Sequence, residues 1–330
     1  MVKRARFSRW GKPSEVVELV DVQPPALQPD EVAVDVLATP INPADVLKCY
    51  GKYGHGENVP PLPSWGGVEG AGVVAEAGSE AKLAPGTLVA MARAPGMWSE
   101  RVVVPAKSVI PLPAGTDPEQ AAMMSVNPPT AWLMLDDYVD LKEGDWVIQN
   151  AANSAVGRHV IAFAKARGIK TINVVRSEAA GEGLTALGAN MVLVDGPDLP
   201  ERILAAGIGG PVRLAIDAVG GVSTAHIASC LSEGAKVVCY GLLSGDDPRL
   251  PAELSIFYDV SMHGFWLPTG LRRHTRDEIT GLYAKIAAMV AEGAIDVPVA
   301  ATYPLRDIAA ALDHAERGSR GGKIVLKPQE

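Results

Sequence analysis

The chain has 330 residues, 48% of them hydrophobic and 21% charged, which is long enough for about two domains with separate cores and excludes both a single small module and bulk disorder. Thirty lysines and arginines against 38 aspartates and glutamates leave a formal charge of -8, so a broad basic footprint for nucleic acid or anionic lipid is excluded and any anion must be met by a local pocket. Thirty-four glycines and 26 prolines beside 5% aromatic residues point to many tight turns and close backbone approaches.

The first residues, MVKRARFSRWGKPSEVVELV, are basic but lead into strand-like alternation with no apolar h-region, so no signal peptide is expected. No apolar run approaches the roughly 18 residues of a membrane span. From Val16 to about Val104 the segments VVELV, EVAVDVLA, GAGVVAEAG, LVAMA and RVVVP alternate between Pro, Gly and Asp clusters, the pattern of an all-β lobe. Asp117, Pro118 and Glu119 then supply a cap, a first-turn proline and an acidic first turn, placing a boundary near 118. Over 119–265 strands such as DWVIQ, KTINVV, MVLV, RLAID and KVVCYG alternate with helical stretches, which means β-α-β units and a parallel sheet. Residues 266–330 hold the amphipathic DEITGLYAKIAAMVAEG, then VAATYPL, IAAALDHAERG and KIVL, a tail expected to return to the first lobe. The three cysteines, Cys49, Cys230 and Cys239, are too few and too irregular for a disulfide framework or a four-thiolate zinc site, and a cytoplasmic location is expected.

The strongest local signal is VIQNAANSAVGRHVIAFAKARG. A buried strand runs through the small residues Ala151 to Ala155 into a helix that carries Gly157, so backbone amides at the helix start can reach a pyrophosphate. The glycine triple is incomplete, and a plain strand-to-helix turn is the alternative; the surrounding β-α alternation favours a dinucleotide. The second strand ends in TINVVRSE, where a site for NAD would place a carboxylate on the ribose. Arg176 and Ser177 instead suit a 2′-phosphate, and hence NADPH, although Glu178 follows.

With these segments the sequence resembles the medium-chain dehydrogenase/reductase superfamily along nearly its whole length. Where zinc-dependent members carry a catalytic cysteine and Gly-His-Glu, this chain reads INPADV and GGVEGAG, with Asn42 and Val68 at the ligand positions; no zinc is expected. Within the zinc-free branches INPADVLKCYGKYG, SVNPPTAW, QNAANSAVG, TINVVR, YGLLSG and GFWLP are most similar to the 2-enoyl thioester (trans-2-enoyl-CoA/ACP) reductases. The resemblance implies an α/β fold, with a mostly-β GroES-like catalytic domain and a Rossmann domain for NADPH, and a homodimer. It implies that Tyr53 donates a proton and that Asn127, Asn153, Ser154, Ala155 and Val156 line the nicotinamide and diphosphate. Arg176 and the adjoining Ser177 would meet the 2′-phosphate, and Tyr240, Gly241, Leu242, Leu243, Phe265, Trp266, Leu267, Pro268 and Lys323 would make further cofactor contacts. Two departures stand out: Glu178 replaces a basic residue that often follows the arginine, and YGLL replaces YGGM.

Simpler readings of single residues remain beside these. Tyr53 also fits a surface turn between Gly51 and Gly54, Trp98 and Trp266 fit core or interface positions, and His55 reads as a solvent-exposed loop histidine outside the catalytic set. The expected activity is reduction of the 2,3 double bond of an enoyl thioester by NADPH. An activated-alkene or quinone reductase of the same fold, and a cofactor-binding protein without catalysis, are the alternatives.

Overall fold

Alternating valines build the core of the first lobe. In the strand Glu31–Pro40, Val32, Val34 and Val36 are all at 0% exposure, as expected where one face of a pleated strand is covered. The computed structural model describes residues 1–54, 59, 61–92 and 94–330. It divides into two compact units, Met1–Val126 with Thr280–Glu330, and Asn127–Ile279.

In chain order the first unit begins with β1 (Val2–Phe7), α1 (Pro13–Val16), β2 (Val17–Val22), β3 (Glu31–Pro40), α2 (Pro43–Cys49), β4 (Ser64–Trp65), β5 (Gly70–Ala77), β6 (Leu88–Met91), β7 (Arg101–Pro105), β8 (Val109–Pro111) and α3 (Pro118–Ala122). The second unit holds α4 (Asn127–Asp136), β9 (Trp146–Gln149), α5 (Ala155–Ala166), β10 (Lys170–Val175), α6 (Glu178–Gly181), α7 (Leu184–Leu187), β11 (Met191–Val194), α8 (Leu199–Ala205), β12 (Val212–Asp217), α9 (Gly221–Ala228), β13 (Lys236–Cys239), α10 (Ala252–Phe257), β14 (Ser261–Gly264) and α11 (Leu267–Leu271). The helix α12 (Arg276–Ala291) leads out of it. Then β15 (Val299–Pro304), α13 (Ile308–Glu316) and β16 (Lys323–Lys327) complete the first unit.

Among the described residues two sheets shape the first unit. One runs β2-β1-β4; the other runs β15-β16-β3-β5-β6-β8, with β7 also on β3. The tail enters this second sheet where Val325 and Leu326 of β16 pair antiparallel with Pro40 and Thr39 of β3. Asp117 caps α3 by accepting the Glu119 N–H at 2.9 Å, and α3 packs on β3, β5 and β6. That packing carries the first unit past residue 118 to Val126.

The second unit is a six-stranded parallel sheet in the order β11-β10-β9-β12-β13-β14. All four residues of β9 are buried, as a strand covered on both faces requires. Trp146, Ile148, Ile172, Val174, Ala215 and Val237 form the centre of its core. The chain leaves β9 towards β10 and later returns to β12 on the other side, so the order reverses between β9 and β12. In such sheets a crevice opens at that point, beyond the C-terminal strand ends. The expected mixed α/β class, a β-rich lobe with a doubly wound parallel sheet, is the observed one.

Candidate functional site

Beyond β9 the chain turns through Asn150–Ser154 into α5. Ala151 takes a φ of 46°, and Ser154 caps the helix by accepting the Gly157 N–H at 3.1 Å. A Cβ on Gly157 would lie 2.5 Å from the Ala152 carbonyl oxygen, so glycine lets α5 close on its own loop. Ser154 takes the Gly157 N–H; the other first-turn amides of α5 have no partner within the helix and face beyond its start, a setting that favours an anion.

Asn150 and Asp217 tie together the ends of β9 and β12. Asn150 Nδ2 donates to Asp217 Oδ1 at 2.6 Å and Ser223 Oγ at 3.1 Å, while its Oδ1 accepts the Ala218 N–H at 2.7 Å. Asp217 also accepts the Val219 and Gly220 N–H groups at 3.0 and 3.1 Å and the Thr224 hydroxyl at 2.7 Å. Tyr240–Leu243 follows β13 along the same crevice. The Tyr240 N–H donates to the Asp217 carbonyl at 2.9 Å and the Leu243 N–H to the Ala218 carbonyl at 3.0 Å. A Cβ on Gly241 would stand 2.8 Å from the Ala218 oxygen. The Tyr240 and Ser154 hydroxyls hydrogen-bond, and burial raises the Tyr240 phenol above its ordinary pKa.

Residues predicted from two separate motifs therefore meet here. Asn153 is exposed, Ser154 and Ala155 are half-buried and Val156 is buried; Leu242 and Leu243 remain 57% and 60% exposed. Arg176 and Ser177 stand exposed beyond β10, beside an exposed Glu178. Farther along, Phe265 meets Tyr138 edge-on at 6.5 Å, and Trp266 precedes α11, whose first turn holds Leu267 and Pro268. Asn127 opens α4; its side chain is buried and Nδ2 has no hydrogen-bond partner among the described residues.

Tyr53 and Lys323 belong to the first unit. Tyr53 is half-buried between Gly51 and Gly54, at φ 69° and 94°, and the Lys48 ammonium lies 5.4 Å from its ring centroid. His55 falls outside the described residues. Lys323 is buried and donates to Asn42 Oδ1, so its ammonium is engaged inside the first unit.

Sequence reasoning missed the partners of that lysine. Asn42 Nδ2 donates to Glu69 Oε1 at 2.8 Å, and Glu69 Oε2 accepts the Ser125 N–H at 3.0 Å. Asp45 Oδ2 accepts the Asn42 N–H at 3.0 Å, so Asn42 opens α2 in a reciprocal cap. An Asn three residues before an Asp, next to a helix-starting proline, was the available signal. Among the described residues no group of three or more His, Cys, Asp or Glu is placed to hold a metal ion.

Burial pushes the Glu69 carboxyl up to about 7, with Lys323 opposing the shift, and burial lowers the Lys323 ammonium to about 8, with Glu69 opposing. A carboxyl raised above its unfolded value takes up a proton on folding, so its contribution to stability falls as pH rises from about 4.5 to 7. The depressed lysine acts oppositely, its contribution rising from about 8 to 10.5. Thermal melts from pH 5 to 7 are expected to show a smaller decline for Glu69→Gln than for the wild type; parallel declines would contradict the assignment.

Residues 28–114 match the alcohol dehydrogenase GroES-like domain and 155–287 the zinc-binding dehydrogenase family. The human mitochondrial enoyl-[acyl-carrier-protein] reductase is 33% identical over 98% of this chain and 88% of its own. This chain belongs to the enoyl thioester reductase family of the medium-chain dehydrogenase/reductases. A structure described as an Etr1p/NADP/crotonyl-CoA complex superposes with a TM-score of 0.85 at 27% identity, over 99% of both chains. The Escherichia coli quinone oxidoreductase complexed with NADPH gives 0.85 at 29% identity, over 99% of this chain and 100% of its own. The cytoplasmic expectation is corrected by these relatives, since the human reductase is mitochondrial by name. Unpaired cysteines fit any reducing compartment and do not distinguish among them.

Proposed function

We propose that the protein reduces the 2,3 double bond of a trans-2-enoyl thioester, carried on CoA or acyl carrier protein, with NADPH. The observation that carries the reading is the backbone packing at the strand-order reversal. There Gly157 and Gly241 leave no room for a Cβ against Ala152 and Ala218, so main chain is presented where a dinucleotide is bound in such sheets. The unpartnered Asn127 amide fits a polar group of the cofactor, and Arg176 with Ser177 fits a 2′-phosphate.

Bound NADPH supplies the hydride for the β-carbon. The protein supplies position, and Tyr53 supplies the proton for the α-carbon from its phenol hydroxyl. NADPH oxidation with crotonyl-CoA is expected to exceed oxidation with a simple quinone. Arg176→Ala is expected to raise KM for NADPH about tenfold or more, the scale of a charge-assisted contact, with less change for NADH. Quinone as the better substrate would overturn the thioester reading, and equal losses with both cofactors would overturn the role of Arg176.

The same proposal includes a homodimer. β14 ends the parallel sheet, and Ile256, Phe257 and Tyr258 just before it are 69%, 76% and 51% exposed. An open sheet edge beside exposed apolar side chains suits a second copy. Sedimentation should give a dimer for the wild type and a monomer for Phe257→Glu; a monomeric wild type would refute it.

A further inference from the structure

Trp10 is 40% exposed yet closely packed on one side. A Cβ on Gly51 would lie 3.0 to 3.3 Å from ring atoms Cδ2, Cγ and Cε2 of Trp10, so the indole rests directly on the main chain of Gly51. The φ of 69° at Gly51 independently favours glycine there. The neighbouring Gly11 N–H donates to the Cys49 carbonyl at 2.9 Å, and Phe7 supports the Trp10 ring with centroids 6.1 Å apart. Beneath the indole the chain turns tightly: the Gly51 N–H donates to the Lys48 carbonyl at 3.0 Å and the Lys52 N–H to the Leu47 carbonyl at 2.9 Å. Tyr53 follows immediately.

We propose that Trp10 is a positioning residue for the reduction: by covering Gly51 it holds the turn from α2 in one conformation and so sets where the Tyr53 hydroxyl lies. The inference rests on the reading of Tyr53 as proton donor. Glycines on both sides of Tyr53 give its backbone a freedom that must be lost before a proton can be delivered along a defined line, and a displacement of about 1 Å can cost roughly a hundredfold in rate. With no side chain at Gly51, the indole acts on the backbone itself. Lys48 above the Tyr53 ring adds a restraint from α2.

Two readouts test this separately. In hydrogen exchange, Trp10→Ala should speed exchange of the Gly51 and Lys52 amides about tenfold or more, while Trp10→Phe keeps them near wild type. In single-turnover oxidation of NADPH by crotonyl-CoA, Trp10→Ala should lower the rate about tenfold with NADPH affinity unchanged. Trp10→Phe should restore the rate to within about twofold, and in a Tyr53→Phe background Trp10→Ala should cost less than about twofold, the coupling expected of groups acting as one. Unchanged amide exchange overturns the clamp, and equal rate losses in both backgrounds overturn its action through Tyr53. A wild-type rate in Tyr53→Phe alone defeats the proton-donor reading, and amide exchange then decides whether Trp10 holds the turn. Should Trp10→Ala fail to fold, Trp10→Leu removes the flat ring while keeping an apolar side chain.

Discussion

Tyr53→Phe should leave NADPH binding unchanged and lower the single-turnover rate on crotonyl-CoA by two or more orders of magnitude, about 2.7 kcal/mol or more of barrier. The substitution removes one oxygen and keeps the ring, so the packing of Lys48 over that ring is retained. A loss confined to the chemical step would identify proton donation, whereas a raised KM with normal turnover would mean that the hydroxyl orders the turn. Single-turnover measurement matters because it isolates the chemical step from product release. A variant with the wild-type single-turnover rate would exclude Tyr53 as the acid.

Asp217→Ala should destabilise the second unit by about 4 kcal/mol or more and lower its Tm by roughly 10 °C. The carboxylate is at 0% exposure and collects Asn150 Nδ2, the Val219 and Gly220 amides and the Thr224 hydroxyl. Alanine would remove that acceptor from the buried Gly220 amide and Thr224 hydroxyl and from the half-buried Val219 amide, leaving Asn150 Nδ2 only Ser223, and each stranded donor costs about 1–3 kcal/mol before relaxation. Asp217→Asn keeps the shape and one acceptor oxygen, so its melting point should fall between those of the wild type and the alanine variant. Because the same carboxylate pins the crevice loops, NADPH affinity should weaken together with stability. Calorimetry showing a Tm within about 2 °C of wild type for Asp217→Ala would refute this account.

What could be read from the sequence follows the range of the forces involved. The strand-turn-helix at VIQNAANSAVG was legible because small residues and hydrophobic period lie side by side, and Asp117 because a cap acts on an amide two residues away. The tail was legible as a strand at KIVL, which became β16. The polar core of the first unit was not. Lys323 and Asn42 are separated by 281 positions, and neither Glu69 nor Ser125 carries any local mark of the partner that it meets. Asn42 was read only as a missing zinc ligand, although it opens α2 and answers Lys323. Likewise Trp10 and Gly51 lie in segments with no shared pattern; only the fold brings the ring onto the backbone. The compartment was misjudged because three thiols report redox state rather than address.

The order of synthesis imposes a sequence of events on this architecture. Asn127–Ile279 is one uninterrupted segment, while the other unit is assembled from Met1–Val126 and Thr280–Glu330. A nascent chain that has reached Ile279 contains every strand of the parallel sheet but neither β15 nor β16. Until the last strand emerges, the end of β3 that pairs with Val325 and Leu326 has no partner on that side, and its amides and carbonyls stay open to any other strand. At about 5–20 residues per second, the fifty or so residues of Thr280–Glu330 take roughly 3–10 s to make. For that interval the sheet of the first unit is unfinished, whatever the progress of the Rossmann unit, and the open end of β3 is exposed to mispairing.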